Sequence, residues 1–61
     1  MAQITEKELS AIEDMLTMEH NLVAKYQEYA CKTQDPALKN KYEEMALRHQ
    51  RHYDELYCNL K

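Results

Sequence analysis

Glycine, tryptophan and phenylalanine are absent from this sequence, and proline occurs once. A β-protein of similar length needs several tight turns, most of which favour glycine, so a sheet fold is disfavoured. Phosphate-binding loops of the Rossmann and P-loop types are excluded, because both require glycine at fixed positions. No apolar run approaches the ~20 residues of a membrane span, and the first residues contain no signal-peptide core. We therefore expect a helical, intracellular protein with no membrane partner.

Basic residues are outnumbered by acidic ones, 8 against 11, and the formal net charge is −3. Nucleic acid is not expected as a partner, because its recognition needs a basic face. Cys31 and Cys58 are too few for a disulfide framework and lack zinc-finger spacing. With no export signal, both are expected to be reduced thiols.

The chain has 61 residues, of which 44% are hydrophobic and 31% are charged. This composition is typical of a globular protein, and the length allows a single domain covering residues 1–61. A chain this short removes only about 60% of its unfolded surface from water on folding, so a monomer would be marginally stable.

The first predicted helix begins with a capping box. Thr5 is followed three residues later by Glu8, the pattern in which each residue caps the backbone of the other. No helix-breaking residue then occurs until Thr33. We predict helix 1 over about residues 6–32.

A second helix start follows directly. Asp35 can act as the N-cap, and Pro36 fits the first helical position, where its missing N–H costs nothing. We predict a turn at residues 33–35 and helix 2 over about residues 36–60. A turn this short makes the helices antiparallel.

Both predicted helices carry an apolar seam at alternating steps of three and four residues, the spacing of positions that face a partner helix. Flanking apolar residues widen each stripe beyond what one hairpin covers. The fold class is therefore predicted to be all-α: an antiparallel helical hairpin that forms a homodimeric four-helix bundle. The seam positions are Leu9, Ile12, Leu16, Glu19, Val23, Tyr26 and Ala30 on helix 1, and Leu38, Tyr42, Met45, His49, His52, Leu56 and Asn59 on helix 2.

The middle of each seam is polar. With a turn near residue 34, residue i lies opposite about 68 − i, so Glu19 faces His49 and His52 lies one turn away. Buried carboxylates and imidazoles need partners, so the three residues predict either a hydrogen-bonded cluster or a metal site. An ion pair of Glu19 with His49 or His52 that only fixes the register of the helices is the simpler alternative. A small rotation of either helix would instead leave one of the three residues in water. His20 points about 100° away from Glu19 and is expected at the flank or surface.

No hydroxyl of the chain has a nucleophile-plus-base arrangement, so no catalytic residue is predicted and the protein is not expected to be an enzyme. Tyr26 and Tyr42, on the two seams, either hydrogen-bond to the central polar residues or only pack.

Several of these residues resemble half of a ferritin-like di-metal bundle of the rubrerythrin type. In that family one helix supplies a Glu and its partner supplies Glu-x-x-His. Glu19 matches the first Glu and His52 matches the His, whereas His49 replaces the second Glu. Because bridging carboxylates are missing, the resemblance implies a single ion, zinc or iron, or no metal, more than a di-iron centre. It also implies that the turns of the two hairpins lie at opposite ends of the bundle.

Four further segments form a pattern that covers nearly the whole chain: LSAIEDMLTME from Leu9 to Glu19, Lys25-Tyr26, QDPALK from Gln34 to Lys39, and HQRHY from His49 to Tyr53. This pattern resembles the coat F family of endospore-forming bacteria more closely. The resemblance implies a ferritin-like helical bundle and a structural role in the spore coat, with other coat proteins as partners, and it implies no reaction. A metalloprotein using Glu19, His49 and His52, and a helical adaptor without metal, are the competing hypotheses.

Overall fold

A computed structural model describes residues 4–60 and has two helices, α1 (Glu6–Lys32) and α2 (Pro36–Cys58). The helices pack side by side as a hairpin, and no strand occurs within the described range. The predicted all-α hairpin is confirmed.

The second helix ends at Cys58, two residues before its predicted end. The Asn59 N–H bonds to the carbonyls of both Glu55 and Leu56, at 3.2 Å each, and the Leu60 N–H bonds to the Tyr57 carbonyl at 3.1 Å. The bonds to Leu56 and Tyr57 span three residues and tighten the last turn, and all three bonds satisfy carbonyls that a helix end leaves without partners.

The start of α1 is held by the predicted capping box. The Glu8 N–H donates to Thr5 Oγ1, and the Thr5 N–H donates to Glu8 Oε1, both at 3.1 Å. The bond from the Thr5 backbone, helped by the Thr5 hydroxyl, lowers the pKa of the Glu8 carboxyl below its ordinary value of 4.5. Two otherwise unpaired backbone donors are thereby satisfied.

The turn depends on residues that favour helix caps over helix interiors. Thr33 is extended, with φ −73° and ψ 142°, and its Oγ1 accepts a hydrogen bond from the Asp35 N–H at 3.2 Å. Asp35 Oδ1 accepts from the N–H groups of Ala37 and Leu38, at 2.8 and 3.3 Å. Pro36 occupies the first turn of α2, where it needs no donor. The chain therefore reverses within three residues.

The hairpin is one layer thick. Its principal extents are 47 × 16 × 10 Å, and Val23, Ala30 and Ala46 are the buried hydrophobic residues among those described. Larger apolar side chains keep much of their surface in water, with Met18 62% exposed. Neither described helix is both long enough and apolar enough to cross a membrane.

Candidate functional site

The polar residues in the middle of the two apolar seams lie close together, halfway along the hairpin. His49 Nδ1 lies 3.0 Å from Glu19 Oε2 and 3.3 Å from Glu19 Oε1, and His52 Nδ1 lies 3.3 Å from Glu19 Oε2. We call Glu19, His49 and His52 the central cluster. The structure therefore brings together all three residues that the sequence singles out.

The members of the central cluster differ in their access to water. The side chains of Glu19 and His49 are only 18% and 17% exposed, whereas His52 is 48% exposed. His52, which lies toward one edge of the single-layer hairpin, is therefore the member of the cluster that a rotation of its helix leaves in water. Water can reach the cluster from the His52 side.

The hydrogen bonds constrain the imidazole protons. An ionised carboxylate can only accept, so a histidine nitrogen that bonds to Glu19 must carry a proton. Both histidines approach Glu19 through Nδ1. Of the two, His49 makes a hydrogen bond to Glu19, so in its neutral ring Nε2 is left as an acceptor or a metal ligand.

Aromatic rings hold the cluster in place. The Tyr26 ring stacks on His49, with centroids 5.7 Å apart and planes 4° apart. His52 meets His49 edge-on at 5.6 Å. Of the two roles open for Tyr26 and Tyr42, ring packing is observed: their centroids are 6.2 Å apart, and Tyr29 contacts both rings. The pairing of residue i with residue 68 − i places Tyr26 opposite Tyr42. The stacking of Tyr26 on His49 was not predicted.

The remaining candidate residues lie outside the cluster. His20 is exposed, and its ring lies 6.3 Å from that of Tyr53. Cys31 and Cys58 are free and exposed. The prediction that His20 is a flank or surface residue is confirmed.

The donor set has a recognisable coordination chemistry. One ligand atom from each residue of the cluster can be chosen so that all three lie within 4.8 Å of one another. Two imidazoles and one carboxylate are ligands of catalytic zinc and of mononuclear iron(II) sites, and both kinds leave coordination positions open. The contact with His49 also gives Glu19 a hydrogen-bond partner without a metal.

An open groove adjoins the cluster, which we call the Met15 cleft. It has a volume of about 340 Å³ and is walled by both helices. Sequence analysis did not identify it, although methionines at spacing i, i+3 were a signal of an apolar edge. Its lining residues are Met15, Met18, Glu19, His52, Glu55, Leu56 and Asn59.

A second depression, the Leu22 hollow, continues from the same edge toward the turn. It has a volume of about 520 Å³, and it shares Met18 with the Met15 cleft. The two therefore form one continuous surface with Met18 at their boundary. The lining residues of the hollow are Met18, Asn21, Leu22, Ala24, Lys25 and Glu28.

Comparison of the chain with known protein families, with curated proteins and with solved structures finds no match. The resemblance to the coat F family therefore depends on the residues quoted above.

Proposed function

We propose that the protein is a structural component that assembles through a homodimeric four-helix bundle. The observation that carries this proposal is the amount of surface that one hairpin leaves in water. The chain exposes 5094 Å², whereas a globular monomer of 7.3 kDa exposes about 4,200 Å². The excess of about 900 Å² is close to the roughly 800 Å² that each partner buries in a stable interface.

The exposed residues have the composition of an interface. Met15, Met18 and Tyr29 are large, apolar or aromatic, and exposed, and they lie on α1 at intervals that place them along one side. Methionine and tyrosine are enriched at interfaces, and a second layer of helices would cover them.

The mass in solution tests the proposal. Light scattering at micromolar protein concentration should give about twice the 7.3 kDa mass of one chain. A well-folded monomer at that concentration would contradict the four-helix bundle.

A place in the spore coat is the biological setting that we propose for this assembly. The support is the coat F resemblance, which includes the Asp-Pro turn and the segment from His49 to Tyr53. A fluorescent fusion expressed in an endospore-forming host should appear during sporulation and localise to the coat. Constant expression in growing cells would favour the helical adaptor instead.

Binding of one divalent metal ion is a second candidate function. The specific observation is the convergence of three ligand atoms within 4.8 Å on facing helices. Zinc suits this set because it accepts nitrogen and carboxylate ligands in small coordination numbers, and iron(II) is the alternative. Two imidazoles and a single carboxylate favour one ion per chain over a carboxylate-bridged pair.

Elemental analysis of protein purified without chelator or affinity nickel tests metal binding. We expect one zinc or iron ion per chain, and a chelator should lower the melting temperature. Protons compete with the metal for the imidazole nitrogens, so metal content should fall as the pH drops below about 6.5. Absence of stoichiometric metal, with no effect of chelator, would leave the cluster as an ion pair only.

A further inference from the structure

We infer that the Met15 cleft and the Leu22 hollow together form a self-complementary docking face for a second copy of this chain. This inference rests on the proposed dimer and adds which surface is used, how the copies are oriented, and which charges meet. The occupant is a second copy because the surface in excess is close to what one partner of a stable dimer buries, as argued above.

The position of the docking face along the hairpin makes it suitable for a two-fold dimer. Glu19 is the central residue of the 27-residue helix α1, and Met18 lies beside it. The Met15 cleft extends from there toward the open end of the hairpin, and the Leu22 hollow extends toward the turn. A two-fold axis through the middle of the face therefore places the cleft of one copy on the hollow of the other.

Charge selects this orientation. The lining of the Met15 cleft includes Glu55 and also Glu19, which is already paired with His49, whereas the lining of the Leu22 hollow includes Lys25. The hollow's other charged residue, Glu28, is already paired with Lys32 at 2.7 Å. Placing cleft on hollow therefore brings Glu55 of each copy near Lys25 of the other, with the turns at opposite ends.

The parallel alternative is electrostatically unfavourable. With both turns at the same end, each cleft would face the other cleft, and Glu55 would face its own copy. Lys25 would face Lys25. Like charges that meet in an interface suppress a docking mode, whereas opposite charges fix its register.

The two residues are too far apart within one chain to form an ion pair. Glu55 lines the cleft beside Met15, about ten residues of α1 away from Lys25, which corresponds to roughly 15 Å along the helix. A compensating effect of substitutions at these two positions must therefore pass between copies.

Charge exchange tests the docking face. Dissociation constants of the dimer would be measured by sedimentation for the wild type, Lys25→Glu, Glu55→Lys and the double variant. Each single variant replaces two attractions per dimer with two repulsions, so we expect a dissociation constant about tenfold higher at low salt. The double variant should return to within about threefold of the wild type.

Matched controls separate this effect from a general change of charge. Lys39→Glu and Glu43→Lys make the same changes at exposed positions of α2 that line neither depression, and they should leave the dissociation constant unchanged. If the wild type dimerises but the single variants do not weaken it, or the double variant does not recover, the docking face is wrong and the dimer stands. A monomeric wild type would overturn both.

Discussion

The two long faces of the hairpin differ in the polarity of the α1 residues that lie on them, although these residues are adjacent in sequence. On one face, Met18 is 62% exposed between two depressions. On the other, Thr17 and His20 line a shallow hollow with Leu16 and Tyr53. There, Thr17 Oγ1 donates to the Glu13 carbonyl at 3.1 Å, and the His20 ring contacts that of Tyr53. Thr17 and His20 on the second face thus have partners within the chain, whereas Met18 on the first face remains largely in water.

We expect the largest effect on this difference between the faces from a substitution of Met18. Met18→Glu introduces a charge at the centre of the docking face and should abolish the dimer, at a cost of about 2–3 kcal/mol per chain from lost burial. Sedimentation and thermal unfolding followed by circular dichroism would measure it. Thr17→Glu, one residue away on the other face, should change stability by less than about 0.5 kcal/mol. Equal effects of the two substitutions would show that the faces are not distinct.

The next largest effect is expected at Glu19, with the adjacent residue His20 as its control. Glu19→Leu should remove stoichiometric metal while the bundle still folds, because it replaces a polar seam residue with an apolar one. Its effect on metal-free stability is expected between neutral and about 1 kcal/mol stabilising. His20→Leu should leave metal content unchanged. Unfolding of Glu19→Leu, or loss of metal in His20→Leu, would contradict this account of the central cluster.

A smaller effect is expected at the capping box, which belongs to neither face. The folded-state pKa of Glu8 is lowered, so its contribution to stability is present above pH 4.5 and is lost as the pH falls through the lowered pKa. Glu8→Gln keeps an acceptor for the Thr5 N–H but removes the titration. Unfolding free energies measured from pH 7 to pH 2 should therefore fall less steeply for the variant. Parallel curves would show that the bond to Thr5 does not stabilise the ionised form.

The smallest effect is expected at the cysteines. Because Cys31 and Cys58 are free and exposed, replacing both with Ser should change stability by less than about 0.5 kcal/mol. A large fall in melting temperature would contradict their exposure in the assembled protein.

Cys58→Ser alone leaves one labelling site, which reports on how the two copies are oriented. Spin labels at Cys31 should be about 36 Å apart along the axis of an antiparallel dimer, because this residue lies far from the centre of α1. In a parallel dimer they would be separated only by the width of the bundle.

Local signals account for what could be predicted from the sequence. Capping residues and Pro36 mark the helix starts, and the seam spacing together with a short turn brings Glu19 opposite His49. Periodicity defines the stripe that faces the partner helix but leaves its rotation open by tens of degrees. That rotation decides how much of His52 is exposed and where depressions open beside Met18. Ring stacking depends on side-chain rotamers, which the sequence pattern does not determine. The pattern therefore gives only the approximate heights of Tyr26 and His49 along the hairpin and does not predict that their rings stack.

The three-residue turn also has a kinetic consequence. Closing a loop costs more entropy as the loop grows, by about 0.6 kcal/mol for each doubling of its length. Tyr26 and Tyr42 are separated by about half as many residues as Glu19 and His49, which are 30 apart. We therefore expect the hairpin to nucleate at its tyrosines and to zip toward the termini, so that the carboxylate meets its imidazoles late, when neighbouring turns already exclude much of the water around them.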